Sequence, residues 1–140
     1  MSASIGRRGL TYELSERDIA VIRTVREHRF LTARQIEQLH FNDHATAGAA
    51  ARICRRVLAR LTRDRLLARL ERRVGGVRAG SASYVYALGS SGGTLLDGTR
   101  NRVTEPSSLF LDHTLAIADA RLALVAAARE RLFDLVEGEV

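Results

Sequence analysis

The chain has no lysine and no tryptophan, one cysteine and one proline. With Cys54 alone, an intrachain disulfide is excluded, and a reduced, cytoplasmic setting is expected. No run of 18 apolar residues occurs, so no membrane-spanning helix and no membrane partner are expected. The first eight residues lack a hydrophobic signal region. Four Phe and three Tyr leave a core that must be mostly aliphatic. The sequence also lacks an HExxH pair, a cysteine pair, a glycine-rich phosphate loop and a supported Ser/His/Asp arrangement. The four histidines, His28, His40, His44 and His113, are scattered. His40 and His44 stand four apart, but a turn is expected between them. No metal, no cofactor and no enzyme activity are therefore expected.

What is present is arginine, concentrated in one place. All 22 basic residues are Arg, and the formal net charge is +6. Residues 52–78 hold ten of them against Asp64 and Glu71, a local net charge of +8, and the rest of the chain nets −2. A charge excess confined to one segment points to a polyanion docking there. Residues 46–63 read as one helix with two faces. At about 100° per residue, Ala50, Ile53, Cys54, Val57, Leu58 and Leu61 share one side. Arg52, Arg55, Arg56 and Arg63 share the other, with Arg60 at its edge.

The elements before this helix are short. Residues 1–14 read as a flexible arm, whose Arg7 and Arg8 are placed to reach a minor groove or simply stay solvated. Ser15 and Asp18 resemble a capping box that opens a first helix ending near His28 and Arg29. Phe30 and Leu31 then read as buried. Thr32 caps a second helix over 33–40, and a turn follows at 42–45. Thr46 caps the third helix, or Asn42 or Asp43 does so with an earlier start. Three helices with short connections, the third one basic, match a helix-turn-helix.

The segment after it alternates like a hairpin. Residues 66–73 form a strand with Ala68 and Leu70 inward and Arg69 and Glu71 outward. The glycine-containing stretch 74–81 is a flexible tip, and 83–88 is the return strand. Arg72, Arg73 and Arg78 lie near the tip of this wing. Gly89, Gly92 and Gly93 break the strand, residues 94–96 form a short helical turn, and 98–107, with Pro106, read as a linker. From 108 to 134 a long helix carries Leu111, Leu115, Ala118, Leu122, Val125, Arg129 and Leu132 at 4-3-4-3-4-3 spacing, with Ala116, Ala120, Ala123 and Ala127 beside them. That stripe is wider than a small domain needs, so a homodimer through Leu111, Leu115, Ala118, Leu122, Val125 and Leu132 is expected, against packing within the chain. The fold class is mainly α (α+β): a winged helix-turn-helix over 15–97 with a long C-terminal dimerising helix.

Four motifs carry a family resemblance. Leu14-Ser-Glu-Arg-Asp-Ile-Ala-Val, Arg29-Phe-Leu-Thr-Ala-Arg-Gln-Ile, Tyr84-Val-Tyr-Ala-Leu-Gly and His113-Thr-Leu-Ala-Ile-Ala-Asp, with Arg52 to Leu67 between the second and third, occur in an order and spacing that resemble the replication-relaxation family. The resemblance covers about residues 14–130. It implies a winged-helix protein of plasmids and integrative elements that binds DNA in replication, transfer or regulation. Longer members continue past the long helix into a further α/β region, and any activity carried there would lie outside these 140 residues.

In a winged helix the third helix enters the major groove with its N-terminal half toward base edges. Arg52 and Arg56 are the expected guanine readers, Ala49 meets a thymine methyl, and Arg55 lies on the same face. Thr46, Arg60, Arg63, Arg34 and Gln35 are expected at phosphates, and Arg72, Arg73 and Arg78 at the backbone or minor groove. The expected protein is a dimeric, sequence-specific binder of double-stranded DNA, acting as a transcriptional regulator or a replication or transfer accessory factor of a mobile element. The rivals are a ligand-responsive repressor of the multiple-antibiotic-resistance regulator type, the DNA-binding half of a longer DNA-processing protein, and a winged-helix module for protein interaction. A pocket between the long helix and the wing domain would favour the first rival; the effector itself is unknown from sequence.

Overall fold

The computed structural model describes residues 13–42, 46–74 and 83–138. The element order is α1 (Glu16–His28), β1 (Phe30–Thr32), α2 (Ala33–His40), α3 (Ala47–Arg63), β2 (Leu67–Val74), β3 (Ser83–Leu88), α4 (Ser90–Asp97) and α5 (Ser108–Gly138). The three strands form one antiparallel sheet in the order β1-β3-β2. This is an α+β winged-helix-like fold with a long C-terminal helix.

The helix starts are set by local hydrogen bonds. Ser15 Oγ accepts from Asp18 N at 3.0 Å while Asp18 Oδ2 accepts from Ser15 N at 3.0 Å. Thr32 and Gln35 repeat this reciprocal box at α2 (3.1 and 2.9 Å), and Thr46 Oγ1 accepts from Ala49 N at α3 (3.1 Å). Each satisfies amide donors that the first helical turn leaves without partners. α3 ends in a Schellman-type turn. Leu66 N donates to Leu61 O and Arg65 N to Thr62 O, which places Arg65 at φ 62°, where glycine is the usual occupant.

The sheet is covered on both faces, which the alternation along β3 makes possible. Tyr86 and Leu88 join Leu67 in the main core with Val21, Ile22, Val25, Leu31, Ile36, Phe41, Leu58 and Leu61. Val85 and Ala87 point the other way and join Leu70, Leu111 and Leu115, with Phe30 against them. Leu70 is buried as the sequence predicts, but against α5, and Ala68 is only half-buried. The pairing of β2 with β3 shifts between Arg69 and Arg73, where four steps on β2 span two on β3. Such an irregularity bends and twists the strand.

Two features differ from the sequence expectation. The 89–93 stretch does end β3 at Leu88, but Gly92 and Gly93 already lie inside α4, which starts at Ser90 and not at 94. A Cβ on Gly92 would come 2.3 Å from Leu66 O, and one on Gly93 2.2 Å from Thr99 O. The glycines are there for close approach of backbones. Second, α5 is not a free-standing helix behind a linker. Leu111, Leu115 and Ala118 are buried on the body of the same chain, and Asn101 pins the connection through Asn101 Nδ2 to Leu88 O at 2.7 Å and Asn101 N to Ser90 O at 3.2 Å. The exposed back of β3 needs a cover. A tethered helix supplies it without the loss of translational freedom that a second molecule incurs.

Candidate nucleic-acid interface

α3 buries Ala50, Cys54, Val57, Leu58 and Leu61, with Ile53 half-buried. This seats the helix on the core and turns Gly48, Arg52, Arg55, Arg56, Ala59 and Arg63 outward. These positions recur at helical spacing, so they form one continuous strip. Among the described residues, Arg52, Arg55 and Arg56 have no acidic partner. Their charges are therefore available to an external anion. Among the described residues Arg63 pairs with its neighbour Asp64, at 3.3 Å, and its side chain remains largely exposed. A surface pair of this kind contributes little. Thr46 is exposed and Ala49 half-buried. The Thr46 hydroxyl accepts from Ala49 N, which leaves its own proton free to donate. Arg34 is exposed in the first turn of α2.

Two residues expected at phosphates are used elsewhere. Gln35 is buried, at 4% exposure. Its Oε1 accepts from Thr32 N, and its Nε2 donates to Leu115 O at 3.1 Å and to Asp119 Oδ1 at 2.7 Å. It fastens α2 to α5 and presents nothing to DNA. Replacing Gln35 with Leu keeps the bulk but removes three hydrogen bonds. The expected loss is about 2 kcal/mol of stability, read from the urea midpoint, with no change in the DNA affinity of the folded protein. Arg60 is also turned inward. Its guanidinium meets Asp18 in a two-point contact, Nη2 to Oδ1 at 2.8 Å and Nη1 to Oδ2 at 3.1 Å. An edge position on the helical wheel did not reveal this, because the partner lies 42 residues away in sequence.

The wing is described over β2 and β3. Arg73 stands opposite Tyr84 in the pairing register. Arg78 and the tip lie outside the described residues, as do His44 and residues 1–12 of the arm; the side chains of Arg72 and Arg73 are also outside them. Arg69, not among the expected site residues, sits over the Tyr84 ring at 4.2 Å.

The neutral groups of the site are held neutral by burial. Cys54, against Ala33 O at 3.9 Å, has its thiol pushed up to about 12, chiefly by burial and then by Glu37. It is a core residue with no thiolate at neutral pH. His40 is pushed below the usual 6.5 by burial and then by Arg17. Thr24 Oγ1 donates to Ala20 O at 2.7 Å, so at 2.8 Å it accepts from His40 Nε2, which carries the proton of the neutral ring. The folded state resists the second proton and the unfolded chain does not. This contribution to stability is present above pH 6.5 and lost as the pH falls through the lower folded value. Urea midpoints should therefore fall between pH 7.5 and pH 5, and His40→Gln should flatten that part of the profile.

Among the described residues, no group of three His, Cys, Asp or Glu side chains is placed to hold a metal ion. None of the described helices is long and apolar enough to cross a membrane.

The fold and this face define a winged-helix-like protein with an outward arginine strip along its third helix, in which Arg52, Arg55 and Arg56 have no acidic partner among the described residues. The chain belongs to the replication-relaxation family, whose model matches residues 22–138. That membership points to a role in the replication or transfer of a plasmid or other mobile element. No curated protein and no solved structure matches the chain.

Proposed function

We propose that the protein binds double-stranded DNA in a sequence-dependent way, as a regulator or accessory factor of a mobile element, and that it works by binding and not by catalysis. The observation that carries this is the outward strip of Arg52, Arg55 and Arg56 with no acidic partner among the described residues. Arg52 and Arg56 are one turn apart on the outward face of α3, the face that a helix in the major groove turns to guanine edges. Arg34, Thr46, Arg63 and the wing arginines Arg72, Arg73 and Arg78 hold phosphates on either side. With about five phosphates neutralised, log K against log salt should fall with a slope of about −4 to −5. Fluorescence anisotropy with duplex DNA across a salt series tests this. A flat salt dependence, or no binding, would favour the protein-interaction reading.

The working species in this reading is a homodimer, paired through a different face of α5 from the one the spacing suggests. Leu111, Leu115 and Ala118 are spent within the chain, and Leu122 is half-buried. Leu124 is 70% exposed and Ile117 is also open, while Val125 and Leu132, the C-terminal end of the original stripe, stay exposed as well. Ile117, Ala120, Leu124 and Ala127 run along the side of α5 away from the body, large alternating with small at 3-4-3 spacing. An antiparallel second copy can set each large side chain over a small one. Sedimentation equilibrium should show dimers in the wild type and monomers in Leu124→Glu, with the fold retained. Monomers in both would remove the dimer from the reading.

A further inference from the structure

A cleft of about 560 Å³ opens between the end of α1, the sheet, the 101–107 segment and the start of α5. Its wall includes three arginines from two distant segments, Arg26, Arg29 and Arg102, together with Phe30, Pro106 and Phe110. Arg26 is tied to Asp97 at 3.3 Å. Arg29 and Arg102 have no acidic partner among the described residues. The apolar side is preformed: the rings of Phe30 and Phe110 meet edge to face at 6.2 Å, and the Arg29 guanidinium stands 5.9 Å from the Phe110 centroid. Val103 and Phe110 are about two-fifths exposed there, an apolar surface that water covers poorly. Arg29 also holds φ 71° and ψ −49°, a backbone that a bulky residue adopts at a cost of about 1–3 kcal/mol. That turn is what brings its side chain to the cleft beside α5. The first turn of α5, capped by Ser107, adds partial charge of the same sign.

Like charges gathered over an apolar wall repel one another unless an anion joins them. We infer that this cleft binds a small organic anion with a ring-sized apolar body, its acidic group between Arg29 and Arg102 and its body against Phe30, Phe110 and Pro106. A volume of this size accommodates a mononucleotide or an aromatic carboxylate. Phosphate and carboxylate share the required chemistry, since both accept paired hydrogen bonds from guanidinium. A ligand there joins the end of α1, the connecting segment and α5, and so bears on how α5 is held. This inference does not rest on DNA binding by α3.

Isothermal titration of the full chain with adenosine monophosphate and with 2-naphthoate tests it, with adenosine and 2-naphthamide as uncharged counterparts. The expected result is saturable binding of at least one anion at up to millimolar concentration, about tenfold or more tighter than its neutral counterpart. The anion that binds identifies phosphate or carboxylate as the preferred group. Arg102→Glu, an exposed change that leaves the fold intact, should weaken that binding by about tenfold or more, and Arg29→Gln should do the same. The Arg52→Gln, Arg55→Gln, Arg56→Gln triple variant should bind as the wild type does, which separates this site from the proposed DNA face. Absence of binding by both anions, equal binding of the neutral compounds, or binding indifferent to Arg102→Glu would overturn the inference.

Discussion

Changing Arg52, Arg55 and Arg56 together to Gln should lower the affinity for duplex DNA by roughly 10²–10³-fold at moderate salt. The three side chains are exposed and without acidic partners among the described residues, so stability should move by less than about 0.5 kcal/mol. The loss should divide by position. Arg52→Gln and Arg56→Gln, the proposed base contacts, should each cost about 1–3 kcal/mol at the preferred site and relax the preference for it. Arg55→Gln, on the same face but assigned to no base, should weaken all sequences alike and shorten the salt slope by about one. Anisotropy titrations with a selected site and a scrambled duplex separate the two patterns. If the triple variant binds DNA as the wild type does, the arginine strip faces some other partner, and the DNA reading fails.

The largest effect on stability is expected at Asp18. Its carboxylate is 2% exposed and serves two structures together. It closes the capping box of α1 through Ser15 N and takes the two-point contact from Arg60 of α3. Asp18→Asn keeps the size but removes the charge that balances a partly buried guanidinium. The expected loss is about 3 kcal/mol, seen as a lower urea midpoint at unchanged slope. Arg60→Met should cost less than Arg60→Ala, because it retains the apolar stem that packs beside α1. The double change Asp18→Asn with Arg60→Met should lose less than the sum of its parts, since neither variant residue then leaves a charge unpaired. The same Arg60→Met protein distinguishes a structural arginine from a phosphate contact. Its DNA affinity, measured on folded protein, should stay within about threefold of wild type and its salt slope should not change. A slope shortened by about one would return Arg60 to the DNA face.

The contrast between Arg60 and its neighbours shows where sequence reading reaches its limit. Helix starts were legible because a cap acts over three residues: Ser15 with Asp18, Thr32 with Gln35, Thr46 with Ala49. The two faces of α3 were legible because periodicity is local, and Cys54 and Leu61 are buried while Arg52 and Arg56 are exposed, as their spacing predicts. The order of helices and hairpin followed from the same local patterns, and the family match over 22–138 covers the motifs read from Arg29 onward, while the first motif, residues 14–21, precedes it.

What the local pattern could not contain is the identity of a distant partner. Gln35 sits at the start of a short helix, where a polar side chain usually faces solvent, and it is closed off by Leu115 and Asp119, 80 and 84 residues away. Leu111, Leu115 and Ala118 form a stripe that any apolar surface could cover. Periodicity states that a face must be buried and not which molecule buries it. The second face of the sheet, with Val85, Ala87 and Leu70, takes Leu111 and Leu115, and the main core takes Ala118, because they belong to the same chain and are always near. The amino-acid sequence by itself therefore determined the elements other than β1 and the extent of α4, the helix caps and the outward arginine face of α3. Only the tertiary structure decided which of those charges are consumed in the interior, which side of α5 remains open, and that Arg29 and Arg102 meet at one cleft. The physical reason is range: hydrogen-bond caps and helical periodicity act within a few residues, whereas burial and charge pairing are settled by whatever the folded chain brings within a few ångströms.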